Sequence, residues 1–388
     1  LCVAVHLEVR MPVKTTHFKV GNGDMTLIEF ESGKRLLVDI KIRSAADDSD
    51  DETPDVGAQL RERLDRDAAK RKFVDAFLLT HPDQDHCSGL RNHFHLGSLK
   101  DWSEKDDKIV IREMWSSPLI FRRAEKKSPL CDDAKAWISE ARRRVKVFET
   151  KGAFEDGDRI LILGEDIDGK TDKLGAIVMK AGSRFSKICG NADTSFESLL
   201  LGPMLAADDE EDEKLSKNDS SVVMQLSLLV GSKVAARYLL GGDAEVAIWE
   251  KVRDTYTDDD LKYDVLLAPH HCSWHSLSWD SWSEKGEKAE VSKKARSALA
   301  QAEAGAMILS SSCEIEDDEI DPPCIRAERE YKNIVKKVAG EFRCLADDPG
   351  DEPFEITVSQ YGPKAGRKRA AAVAGLSTGV GTEALGHG

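Results

Sequence analysis

The chain has 388 residues, 33% of them charged and 40% hydrophobic, with 56 Lys and Arg against 71 Asp and Glu and a formal net charge of −15. That length can bury a sizeable core, and the apolar fraction excludes wholesale disorder. No run of ~18 apolar residues offers a bilayer span, and the opening LCVAV is too short for a secretion signal. Eight cysteines without a CxxC pair do not make a disulfide framework, so we expect a reducing, cytoplasmic setting with no membrane partner. An acidic chain also lacks the global field of a tight nucleic-acid binder.

Three short apolar segments, Thr16 to Val20, Met25 to Glu31 and Arg35 to Ile40, are punctuated by Gly21-Asn22-Gly23-Asp24 and Ser32-Gly33 and predict a β-meander. The charged stretch Ala46 to Asp55 reads as a loop. Val56, Leu60 and Leu64 recur every four residues, predicting a helix over 56–71, and a strand follows at Val74 to Leu79. Between Arg91 and Lys217 a helix is expected over Asp132 to Arg144 and strands over Arg159 to Leu163 and Ala176 to Lys180. The acidic run Asp208 to Glu213 reads as a solvated loop. Strands then follow at Ser221 to Val230, Val234 to Leu240, Tyr263 to Leu267, Ala306 to Ser310 and Phe354 to Val358. Helices are expected at Ala244 to Arg253, Val291 to Glu303 and Cys324 to Val338. From Pro363 onward the Gly/Ala-rich sequence, with its basic patch Lys364 to Arg369, predicts a flexible tail.

The chemistry concentrates at strand ends. Thr80-His81-Pro82-Asp83-Gln84-Asp85-His86 directly follows an apolar strand and places four metal-ligand side chains within six residues. Such a density of Asp and His costs desolvation unless a cation compensates it, and His with carboxylate suits zinc, manganese or iron. Leu240-Gly241-Gly242-Asp243 and Pro269-His270-His271-Cys272-Ser273 end two further strands. Together they predict a site built along one sheet edge. Cys87 and the remaining cysteines read as small packing residues.

The ordered motifs resemble the metallo-β-lactamase fold and, within it, the hydrolase domain of ComEC-type competence proteins. The matching pieces are Val20 to Asp24, Leu37-Val38-Asp39, Thr80 to His86 with Ser88-Gly89, Asn218-Asp219-Ser220-Ser221, Gly242-Asp243-Ala244 and Pro269 to Ser273. The resemblance implies an α+β fold, an αββα sandwich of two mixed β-sheets flanked by helices. Its boundaries would be an N-terminal extension 1–15, a single domain 16–362 with an insert at about 91–217 and an acidic loop 206–217, and a tail 363–388.

It further implies two divalent ions, zinc with manganese as a competitor. His81 and Asp83 would serve the first ion, Asp85 and His86 the second, Asp243 would bridge both, and His271 or His270 would complete the second site. Asp85 and Asp243 would be catalytic. Asn218, Ser221, Ser273 and His275 are expected to contact substrate or support the ligands. The implied activity is phosphodiester hydrolysis, including nuclease action, with a metal-activated water. Hydrolysis of another ester, amide or peptide bond is the alternative, as is a non-catalytic, metal-stabilised module that docks a protein partner through the insert. A nucleic-acid substrate would need a basic patch, for which Arg122-Arg123, Lys126-Lys127 and Arg142-Arg143-Arg144 are the candidates.

Overall fold

The computed structural model describes residues 11–44, 51, 53–121, 130–152, 154–165, 169–205 and 220–366. The fold is α+β and is organised by two mixed sheets. In the first, strands run in the order Gly362–Ala365, Phe354–Ser359, Val13–His17, Thr26–Glu29, Arg35–Val38, Phe73–Leu79, Ile109–Ser116, Arg159–Leu163 and Val178–Met179, with the short Phe94–His95 strand beside Ile109–Ser116. Pairing is antiparallel up to Arg35–Val38 and parallel beyond it. In the second the order is Arg184–Phe185, Phe196–Gly202, Val223–Val230, Lys233–Leu240, Tyr263–Leu267, Ala302–Ser310 and Glu341–Cys344, parallel from Lys233–Leu240 onward.

Strand alternation explains the layering. Leu36, Val38, Ala76 and Leu78 face inward and pack with Leu226, Leu228, Tyr238, Leu240 and Val265 of the second sheet. Their neighbours Leu37, Phe77 and Leu79 face outward, against Trp137 of the Asp132–Lys151 helix and Leu60 of the Val56–Glu62 helix. On the far side, Leu239, Leu266 and Ile308 pack under Trp249 and Tyr331 from the Val246–Thr255 and Ile325–Lys336 helices. Helices therefore cover both outer faces, which is why these strands are apolar throughout.

Several expected boundaries move for local reasons. The helix predicted over 56–71 stops at Glu62, because the Asp67 carboxylate captures the backbone N–H groups of Ala69 and Arg71 in a turn. The helix predicted to Glu303 is confined to Lys293–Leu299. Tyr263 donates to the Leu299 carbonyl at 2.7 Å, and the Ala302–Ser310 strand takes over at once. The tail expected from Pro363 is corrected at its start, since Gly362–Ala365 pairs antiparallel with Phe354–Ser359. The region 91–217, expected as an insert, contributes strands to both sheets. Its Ile109–Ser116 and Arg159–Leu163 strands extend the first sheet and its Phe196–Gly202 strand extends the second. The acidic run Asp208 to Glu213 lies outside the described residues, as do most of the charged stretch 46–55 and the basic residues after Gly366. Among the described residues, no helix is long and apolar enough to cross a membrane.

Candidate metal centre

The parallel strands of both sheets end at one edge, and the site is assembled there. Phe73–Leu79 leads into Thr80 and His81, Lys233–Leu240 into Asp243, Tyr263–Leu267 into His270 and His271, and Arg35–Val38 into Asp39. Asp24 joins them because Thr26–Glu29 runs antiparallel to Arg35–Val38, so its beginning lies at that same edge. The edges are tied by the Val222 N–H donating to the Thr80 carbonyl at 3.0 Å and the His270 N–H donating to the Gly242 carbonyl at 3.0 Å.

Asp243 stands at the centre, almost wholly buried. Its Oδ1 is 2.9 Å from His86 Nε2 and 3.5 Å from His271 Nε2, while its Oδ2 is 3.6 Å from His81 Nε2 and 3.7 Å from His270 Nε2. Each carboxylate oxygen is thus faced by two imidazole nitrogens. His271 also approaches Asp85 Oδ2 at 3.4 Å through Nε2 and Asp24 Oδ2 at 4.0 Å through Nδ1. Donor atoms of Asp24, His86, Asp243 and His271 all lie within 4.8 Å of one another.

The hydrogen bonds behind the cluster fix which nitrogens are bare. Asp39 accepts from the Thr80 N–H and Oγ1–H, each at 2.7 Å, and from His86 Nδ1 at 2.9 Å. His86 therefore carries a proton on Nδ1 and turns Nε2 toward Asp243. With its own hydrogen given to Asp39, the Thr80 hydroxyl can only accept from His81 Nδ1, 3.2 Å away. The His81 Nε2 lone pair then faces Asp243 as well.

Lone pairs aimed at a carboxylate repel unless a cation lies between them. His81 Nε2, His86 Nε2, Asp243 Oδ1 and both ring nitrogens of His271 are buried without a hydrogen-bond partner, an expensive state in a protein interior. The same demand shows in the protonation equilibria. Burial works against charge on His86, yet the Asp243 and Asp39 carboxylates outweigh it and raise its pKa well above the usual value. Burial likewise opposes ionisation of Asp243, but the charges of His86, His271 and His81 hold it well below the carboxylate range. Burial, reinforced by His86, lowers His81 to about 4, and burial raises Asp24 to about 6. The donor set, imidazole with carboxylate, fits a divalent cation, and this buried cluster could hold one.

The backbone pays for this convergence in strain. His270, His271 and Cys272 have φ of 52°, 53° and 69°, three successive non-glycine residues in the left-handed region. Such conformations cost of order 1–3 kcal/mol each and persist where the surroundings impose them. Gly23, at φ 153°, lets the chain before Asp24 pass close to the metal loop. A Cβ there would lie 2.7 Å from the Asp85 carbonyl oxygen.

The expected site residues divide as follows. His81, His86, Asp243, His270 and His271 converge, with His271 facing Oδ1 of Asp243 and His270 facing Oδ2. Asp85 reaches the cluster through His271, and with 37% of its side chain exposed it is the member nearest solvent. Asp83 departs from its expected role. Its Oδ1 accepts the Gln84 N–H at 3.0 Å as the cap of the Gln84–Cys87 helix. Ser221 supports the site by accepting the Asp243 N–H at 3.2 Å. Ser273 caps the turn ahead by accepting the His275 N–H, and His275 turns to Asp321, 3.9 Å away, rather than to Asp243. Asn218 lies outside the described residues. Asp24 as a ligand-type residue and Asp39 as the partner of His86 were not singled out. Each lies in a matching piece of the resemblance, Val20 to Asp24 or Leu37-Val38-Asp39, but carries no ligand role there.

No protein-family model matches the chain, and no curated protein matches it.

Proposed function

We propose that the chain is a metal-dependent hydrolase of the metallo-β-lactamase type, acting on phosphodiesters through a metal-activated water. The observation that supports this reading best is Asp243, whose oxygens are faced by the Nε2 atoms of four histidines, those of His81, His86 and His271 being buried without a partner. That arrangement suits a carboxylate shared between two divalent ions, zinc or manganese. His86 and His271, with Asp24 or Asp85, would hold one ion, and His81 and His270 the other. When bound, such ions polarise the electrophilic centre and lower the pKa of water toward neutrality. Asp39 fixes the ring of His86, and Thr80 fixes that of His81. Asp85, about a third exposed beside His271, would accept a hydrogen bond from an attacking water and orient it.

The surroundings favour a short phosphodiester over a long nucleic-acid strand. Of the basic residues expected to form a patch, Arg144 is buried against Glu140 at 2.7 Å and Arg143 pairs with Glu140 and Asp158 at 2.7 Å each. Arg142 donates to the Ile120 carbonyl, while 122–129 lie outside the described residues. One observation supports a second reading, hydrolysis of another ester, amide or peptide bond. The segment that packs on Asn22 and Trp274 through Cys313 and Asp321 bears exposed Glu314, Glu316, Asp317 and Glu319, a surface that repels polyanions.

A substrate panel tests both. Turnover of bis(4-nitrophenyl) phosphate that is abolished by chelation and restored by zinc or manganese supports the first reading. Metal-dependent turnover confined to acyl esters or peptides supports the second. No metal-dependent turnover of any substrate would leave a binding module.

A further inference from the structure

A pair of thiols lies beside the metal loop, outside the carboxylate and histidine cluster. Cys87 ends the Gln84–Cys87 helix, and Cys131 is the N-cap of the twenty-residue Asp132–Lys151 helix. Their sulfurs are 3.7 Å apart, in van der Waals contact. The two are not equivalent. Cys87 is buried and its Sγ–H donates to the Asp83 carbonyl at 2.9 Å, whereas Cys131 is half-buried and its Sγ accepts the Ala134 N–H at 3.4 Å.

A helix N-terminus stabilises negative charge on sulfur, and a thiolate is the reactive form of cysteine. Contact with Cys87, together with the helix amides, lowers the Cys131 thiol to about 6. A half-buried sulfur at a helix N-terminus, 3.7 Å from a buried one, is the arrangement of an attacking and a resolving cysteine.

We propose that Cys131 and Cys87 form a redox-active dithiol that closes to a disulfide on reaction with a hydroperoxide. The Cys131 thiolate attacks the peroxide; a sulfur–oxygen bond forms, the oxygen–oxygen bond breaks and hydroxide (or alkoxide) leaves. Cys87 then attacks the sulfenic sulfur of Cys131, forming the sulfur–sulfur bond, and the departing hydroxide takes the Cys87 proton to become water. Sulfur is oxidised and peroxide oxygen reduced, with no further reagent. The bond would fasten the turn bearing Asp85 and His86 to the start of the Asp132–Lys151 helix.

The test uses the full chain. The protein is treated with hydrogen peroxide, blocked with N-ethylmaleimide, digested without reduction and mapped by mass spectrometry. We expect a linked Cys87–Cys131 peptide that dithiothreitol separates. Cys87→Ser should strand Cys131 as a sulfenic acid captured by dimedone, and Cys131→Ser should leave Cys87 unoxidised over the same period. Oxidation of both sulfurs without a link, linkage of either to another cysteine, or wild-type oxidation of Cys87 in Cys131→Ser would overturn the proposal. The wild-type map decides by itself if a variant does not fold, and it does so whether or not the chain is a hydrolase.

Discussion

His86 Nε2 stands 2.9 Å from Asp243 Oδ1, and neither atom has any other hydrogen-bond partner. The other nitrogen of the same ring is committed to Asp39. The orientation of the His86 ring is therefore set by the protein, and its raised pKa marks the contact with Asp243 as a place for positive charge.

Asp39 is accordingly a positioning residue. Asp39→Asn keeps the shape but weakens its grip on the Nδ1 proton of His86, and loss of such an outer partner typically costs 10–100-fold in metal affinity. Competition with a chromogenic chelator should show that loss, with Asp39→Glu recovering part of it. Unchanged affinity in Asp39→Asn would remove this role.

Asp243→Asn takes away the charge that all four histidines face. We expect its metal content to fall to a small fraction of wild type, measured after identical purification. Far-ultraviolet circular dichroism should stay native, because the backbone N–H of residue 243 still reaches Ser221.

Gly23→Ala should act on the same site from the backbone. The added Cβ meets the Asp85 carbonyl oxygen at 2.7 Å, and φ of 153° disfavours any side chain. Overpacking of this kind costs ~1–3 kcal/mol, and here it should also separate Asp24 from Asp85. Urea unfolding and metal titration of the variant should both show the loss.

A pH prediction concerns His17, buried between Thr15, Thr26 and the ring of Tyr238. Burial lowers its pKa from 6.5 to about 3. Between those values the unfolded chain binds a proton that the folded chain refuses, so stability falls as pH drops through 6.5 and the loss levels off below about 3. The slope is at most ~1.4 kcal/mol per pH unit. Urea unfolding from pH 7 to 4.5 should show wild type losing stability relative to His17→Gln; parallel curves would count against it.

The sequence made the strand ends legible because parallel strands buried on both faces are apolar throughout, so the polar residues that follow them stand out. His81 to His86, Gly242-Asp243 and His270-His271 were found in this way. Asp24 and Asp39 were harder, since their partners are distant in sequence and a lone Asp after a turn has an ordinary explanation. Asp83 misled for the opposite reason. Its spacing suits a ligand, but its carboxylate satisfies the first amide of the short Gln84–Cys87 helix. Region 91–217 reads as an insert because no motif of the resemblance falls in it, yet its strands join both sheets. Pairing of Phe73–Leu79 with Ile109–Ser116 depends on contacts that no local pattern announces.

Metal content per chain, read by elemental mass spectrometry on protein purified without affinity metals or chelators, tests the central claim most directly. The account predicts about two equivalents of zinc or manganese, as the open site of a two-metal hydrolase requires. Protein that stays metal-free even after repletion would contradict it.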